Sequence, residues 1–143
     1  MLITYDENGN YGHPDHIQAN RIALAAADST GIPDKLYYMT IPREAALEMF
    51  EAMKAQDPEF DFEPPDDFGT PMAEITAAVD VSGYTRRKAK ALQAHGSQSD
   101  GAAFLSMPEP VQDMVFGTEF FIRHRNRVTT APDHETDLFA GLR

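Results

Sequence analysis

Apolar positions along the chain follow two periods, and their alternation sets out the elements. Met1 to Tyr5 is a short apolar run that reads as a buried strand. From about Pro14 to Asp28 the apolar positions Ala19, Ile22, Ala23 and Ala26 recur at i, i+3, i+4 and i+7, one face of a helix. Its small alanines suit close packing on a sheet. Asp28-Ser-Thr-Gly31-Ile-Pro33 is a stop signal, with Gly31 available for a left-handed cap and Pro33 shortly beyond. Leu36 to Ile41 is short and rich in strand formers, so it predicts a second strand. Strand, loop, helix and strand in this order form a βαβ unit, which implies a parallel pair and a right-handed crossover. The loop after the first strand then lies at its carboxyl end, where open α/β sheets place their ligands.

The pattern continues with a helix from about Pro42 to Gln56, burying Ala46, Met49, Phe50 and Met53 and exposing Glu44, Glu48, Glu51 and Lys54. Asp57 to Glu74 carries four prolines and seven acids among Phe60, Phe62 and Phe68. That composition predicts a long solvated loop, and a lid over a binding cleft is the functional alternative. Ile75 to Asp80 alternates weakly, as a strand would. Val81 to His95 predicts a helix with Tyr84, Ala91, Leu92 and His95 on one side, and its Arg86-Arg-Lys-Ala-Lys90 run reads as a solvated basic face or a docking site for an acidic partner. Pro108 to Phe116 reads as a short helix, Phe120 to Val128 as a strand or extended segment, Thr129 to Glu135 as a loop and Asp137 to Leu142 as a closing turn. There are no repeats and no clear internal boundary, so residues 1–143 are expected to form one α/β domain.

Composition narrows the classes. With 143 residues, 42% of them hydrophobic, the chain is long enough for its own core. It has no cysteine, which rules out disulfides and thiolate metal sites and permits a cytoplasmic location. No apolar run is long enough to span a membrane, and Met1-Leu-Ile-Thr-Tyr-Asp lacks the basic flank and apolar core of a signal peptide. A net charge of −11 argues against nucleic acid and against anionic membrane. A strand entered directly at Met1 is unusual for a domain start and predicts a fragment.

The candidate chemistry sits in the first loop, Tyr5-Asp-Glu-Asn-Gly-Asn-Tyr-Gly-His13-Pro14-Asp15-His16. Pro14 suits the first helical position, since its φ is already helical and its missing N–H would have had no partner. His13 then caps the helix and His16 lies on its first turn, both near the positive end of the dipole. That end disfavours imidazolium and keeps a ring nitrogen free to bind a metal or accept a proton. Asn8, Gly9, Asn10 and Gly12 allow the left-handed backbone that brings such a loop back over a site. From spacing alone a bland reading is equally open, in which Asp15 caps the helix and His13 fills a turn. His95 reads equally as a complement to a helix C-terminus.

The string as a whole resembles the second signature of the PIG-L/LmbE-type zinc deacetylases and amidases, which reads close to Y-D-x-x-G-x-Y-G-H-P-D-H-I. Within that group it is most similar to the mycothiol S-conjugate amidases and their sister deacetylases. Ala94-His95-Gly-Ser97-Gln98 resembles the group's A-H-x-[ST]-Q string, and Thr118-Glu119-Phe120 and Glu135 to Leu142 resemble its end. The likeness spans nearly all of this chain but about the C-terminal half of the family's, implying a partial Rossmann-like fold. It implies that His16 is a zinc ligand, that His13 and Asp15 steady the oxyanion or the leaving amine, and that Tyr11 is the mobile tyrosine beside the oxyanion. His95 is implied near the site. The implied substrate is a small molecule, an N-acyl glucosamine–inositol conjugate.

The family's first signature, A-H-P-D-D-E, is absent: the remaining histidines are His95, His124 and His134. It supplies two zinc ligands and the catalytic base, and a catalytic zinc usually takes three protein ligands. The chain therefore reads as half an enzyme, expected to be inactive and to hold zinc poorly by itself. The contrasting expectation is a non-catalytic LmbE-like remnant serving as an interaction module. Asn10 and Asn20 stand where the family suggests glycine and histidine; Asn10 tolerates positive φ, whereas Asn20 puts a supporting role one turn beyond His16 in question. Strand edges and apolar faces left open in such a half predict a homo-oligomer.

Overall fold

The computed structural model describes residues 1–56, 63–65, 68–96, 104–129 and 132–142. Its elements are β1 (Leu2–Thr4), α1 (Pro14–Thr30), β2 (Lys35–Thr40), α2 (Arg43–Gln56), β3 (Ala77–Asp80), α3 (Thr85–Gln93), α4 (Glu109–Phe116) and β4 (Thr118–Asn126). The sheet has four strands in the order β1-β2-β4-β3. β1 runs parallel to β2, with Leu2 opposite Leu36 and Thr4 opposite Tyr38, as the βαβ reading requires. β4 is antiparallel to β2, with an irregularity between Leu36 and Tyr37 that sets Arg123 opposite Tyr37. The protein is thus a mixed α/β structure. The chain divides into two compact units, residues 1–78 with 120–143, and residues 79–119.

In the first unit β2 is buried on both faces, as a central strand must be. Leu36 and Tyr38 pack with Ala27 of α1, and Leu2, Leu24 and Ile122 close that cluster. On the opposite face of the strand Tyr37 meets Phe121 edge-on at 6.3 Å. There it also meets a buried ionic cluster that the sequence did not suggest. Lys35 Nζ donates to Glu135 Oε1, the Tyr37 hydroxyl donates to Glu135 Oε2 at 2.5 Å, and Arg123 lies 3.2 Å from the same carboxylate. Lys35 also donates to the carbonyls of Leu138 and Ala140, at 3.3 and 2.6 Å, so the closing turn is tied to the sheet. Burial and the Glu135 acceptor push the Tyr37 hydroxyl well above its ordinary value.

Helix α1 ends as expected, at Gly31 with φ 65° and its N–H on the Ala27 carbonyl. Its buried face differs from the expected one. Asn20 and Ala27 are buried, whereas Ile22 is 68% exposed and Ala26 is exposed. A helix this rich in alanine has little apolar contrast between faces, and a hydrogen bond from Asn20 Nδ2 to the Tyr5 carbonyl (2.8 Å) decides which face turns in. Helix α2 keeps its expected face, with Ala46 buried and Glu44, Glu48, Glu51 and Lys54 outside. The end of the acidic stretch is pinned to the start of α2. Arg43 donates to the carbonyls of Phe68 and Gly69, and Thr70 bridges Pro42. The rest of the lid expectation, at 57–62 and 66–67, lies outside the described residues.

In the second unit a short 3-10 turn, Ser82–Tyr84, precedes α3 and shifts its face. Thr85, Lys88, Ala89 and Leu92 turn inward, while Tyr84, Ala91 and His95 of the expected face are exposed. Lys88 lays its stem inward, donates to the Phe116 carbonyl at 2.9 Å and pairs with Glu119 at 3.0 Å. Arg86, Arg87 and Lys90 remain exposed, which fits the solvated basic face.

Candidate active site

Three positive-φ residues fold the loop between β1 and α1: Gly9 at 64°, Asn10 at 63° and Gly12 at 84°. Asp6 holds the turn, its carbonyl accepting from Gly9 N–H (3.1 Å) and its carboxylate from Asn10 N–H (2.9 Å). Gly9 is also needed for space. A Cβ there would stand 3.0 Å from His16 Cβ, from Ile17 Cγ1 and from the Ile17 backbone nitrogen. The loop therefore lies directly against the first turn of α1.

The helix start follows the expected geometry. Pro14 is the first helical residue, and His13 is the cap with φ −68° and ψ 124°. His13 does the capping itself: its Nδ1 accepts from the backbone N–H of Asp15 at 3.2 Å. This contact joins His13 to Asp15 through the backbone, and the Asp15 side chain is exposed. One turn on, His16 Nδ1 lies 3.3 Å from the Gly9 carbonyl, which can only accept, so that nitrogen carries the proton. The His16 ring stacks on Tyr5 with centroids 3.8 Å apart and planes 3° from parallel.

Hydrogen bonding thus assigns the two imidazoles opposite tautomers. Neutral His16 presents a bare Nε2 lone pair, oriented by a backbone carbonyl on its other nitrogen as metal-binding histidines commonly are. Neutral His13, with Nδ1 occupied as acceptor, presents Nε2–H as a donor. The two rings are 4.6 Å apart between centroids. Tyr11 stands edge-on to both, 5.9 Å from His13 and 5.4 Å from His16. All four residues expected at the site are therefore gathered at one helix start. His95 belongs to the second unit, where its Nδ1 donates to the Ala91 carbonyl at 2.8 Å and complements the end of α3.

Tyr5, the stacking platform, is a supporting residue that the sequence does not signal, and Gly9, expected for its backbone freedom, is needed for close approach as well. Asn20 had been in question. Its place four residues after His16, on the same helix face, was the available signal, and it ties the helix to the end of β1 through Tyr5. Burial pushes the neighbouring Tyr38 hydroxyl up, and the Asn20 amide acts in the opposite direction.

The bare Nε2 of His16 is a single nitrogen donor of the kind a metal ion takes. Among the described residues, no group of three or more His, Cys, Asp or Glu side chains gathers to hold a metal. No helix among them is long and apolar enough to cross a membrane.

No family model matches the chain. Curated relatives do. A protein of Acidothermus cellulolyticus named 1D-myo-inositol 2-acetamido-2-deoxy-alpha-D-glucopyranoside deacetylase is 40% identical over 151 residues, covering 99% of this chain and 51% of its own. Proteins of the same name from Geodermatophilus obscurus (40%) and Saccharomonospora viridis (38%) each cover 99% of this chain and 54% and 53% of their own lengths. Over nearly all of its own length the chain is similar to these deacetylases. It spans about half the length of the curated relatives it matches. All three relatives are named as deacetylases.

Proposed function

We propose that this chain supplies part of the active site of a zinc-dependent deacetylase that cleaves the amide of an N-acyl glucosamine–inositol conjugate. The opposite tautomers of His13 and His16, 4.6 Å apart at one helix start, carry this reading. His16 Nε2 would bind the zinc, with the remaining ligands coming from outside the described residues. Zinc held there supplies Lewis acidity at the acyl carbonyl and a more acidic water.

The residues of this chain then divide the remaining work. His13 Nε2–H donates to the oxygen on which negative charge develops, a role that the neutral ring performs without moving a proton. Delivering a proton to the departing amine would require His13 to be protonated at Nδ1. That displaces the Asp15 N–H bond, and the exposed Asp15 carboxylate would have to turn toward the ring to accept from the new N–H. The resting geometry favours the oxyanion role, and Asp15 makes the acid role accessible. Tyr11, exposed and edge-on to both rings, adds a phenol donor from the solvent side. A cytoplasmic location and a small-molecule substrate belong to the same reading.

The test joins this chain to the remaining half of the Acidothermus cellulolyticus relative. The chimera is expected to bind one zinc and release acetate from the substrate in that relative's name, while the chain alone does neither. His16→Ala abolishes zinc binding. His13→Ala retains zinc and lowers turnover by roughly 10²–10³, the usual effect of losing one oxyanion donor. Equal loss of zinc in both variants refutes the division of roles. A folded chimera that binds no zinc leaves the interaction-module reading in its place.

A further inference from the structure

Beside the paired histidines lies a recess of about 300 Å³, lined by Glu7, Asn8, Asn10, Tyr11, Gly12, Ile17, Arg21 and Pro65. It lies within the first unit and reaches Tyr11 at the reacting end. Its volume is at the lower end of the range that holds small ligands. The reaction outlined above uses only Tyr11 of these residues.

The chemistry of the wall is specific. Glu7 brings a carboxylate, which accepts only, and Arg21 a guanidinium, which donates only. Asn8 and Asn10 bring amides that do both, while Ile17 and Pro65 add apolar surface. Among the described residues, neither the Glu7 carboxylate nor the Arg21 guanidinium is engaged in a hydrogen bond or an ion pair. A ligand rich in neighbouring hydroxyls matches this set, because each hydroxyl both donates and accepts, and the C–H face of a saturated ring suits Ile17 and Pro65. A phosphate or carboxylate would meet Glu7 as a like charge, and an apolar ligand would strand both ions.

We infer that this recess binds the polyhydroxylated ring remote from the cleaved amide, with Glu7 and Arg21 bridging vicinal hydroxyls. The inference rests on the deacetylase reading for its orientation, with the amide toward His13, but the binding itself requires no metal.

The experiment is a titration of the isotopically labelled chain with myo-inositol, followed by NMR, with N-acetylglucosamine run in parallel. The expected result is saturable shifts at the amides of residues 7–12 and at the Arg21 Nε–H, stronger with inositol than with N-acetylglucosamine. Arg21→Gln and Glu7→Gln, both at exposed positions, should each weaken binding at least several-fold with the rest of the spectrum unchanged. Arg21→Lys keeps the charge but loses the fork, and should recover only part of the affinity. Saturable shifts located elsewhere, no saturable shifts, or unchanged affinity in both glutamine variants would overturn the inference. The outcomes separate from those of the chimera: inositol binding with an inactive chimera refutes the deacetylase reading alone. An active chimera without inositol shifts refutes the recess alone.

Discussion

Glu135→Ala removes the carboxylate that Lys35, Tyr37 and Arg123 share below the sheet. The side chains of Lys35 and Glu135 are both 0% exposed, and that of Arg123 is 14% exposed. After truncation the Lys35 ammonium keeps the Ala140 and Leu138 carbonyls but loses its ion-pair partner Glu135, and the Tyr37 hydroxyl loses its 2.5 Å acceptor. Removing one side of a buried pair costs about 3–5 kcal/mol. The two carbonyls that Lys35 keeps hold the cost near the lower end, at about 3 kcal/mol. Against a total stability of about 5–15 kcal/mol this is a large fraction. Urea unfolding followed by circular dichroism should show the midpoint falling by roughly 1–3 M at unchanged slope. Two controls sharpen the result. Asp28→Ala breaks the more exposed pair with Arg125 and should cost less than about 1 kcal/mol. Lys35→Met combined with Glu135→Leu removes both charges and should recover much of the loss. A Glu135→Ala cost below about 1 kcal/mol, or a double variant no better than the single one, would refute the reasoning.

The same cluster carries a pH signature. Because the folded-state value of the Tyr37 hydroxyl is raised, its contribution is complete below the unfolded value and is lost as pH climbs from there toward the folded value. Stability should fall by up to about 1.4 kcal/mol per pH unit above about pH 10 from this group, and Tyr37→Phe should lack that component; a parallel decline in both proteins would count against it. Gly9→Ala combines positive φ with contacts at 3.0 Å and should cost about 1–3 kcal/mol while loosening His16 from Tyr5. Gly12→Ala, with open space around it, should cost less, and equal losses by urea unfolding would contradict the close-approach argument. Among the described residues β1 ends the sheet with one neighbour, and Ile3, Ile22 and Ile32 are 40%, 68% and 77% exposed, so a homodimer or larger assembly is expected. Light scattering at high salt, where the repulsion of a −11 chain is screened, tests this, and a monomeric mass at every concentration would refute it.

The elements and the candidate site were legible because their causes are local. Pro14 starts α1, Gly31 stops it, and the Gly/Asn residues of the loop take the left-handed backbone that their side chains tolerate. The spacing of His13 and His16 across one helix start gathers their rings whatever packs behind them. Tertiary structure decided the rest. Alanine-rich α1 has nearly equivalent faces, so a hydrogen bond to Tyr5 buried Asn20 and left Ile22 outside. Lys35 and Glu135 are 100 residues apart and each reads as a surface charge, until the insertion of β4 beside β2 and the return of the closing turn exclude water from both. The division between a lone pair on His16 and a donor on His13 depended on which backbone groups the folded loop set against each Nδ1, the Gly9 carbonyl against one and the Asp15 N–H against the other. Residue type determines what a side chain can offer, and only the fold determines which of its atoms remains free to offer it.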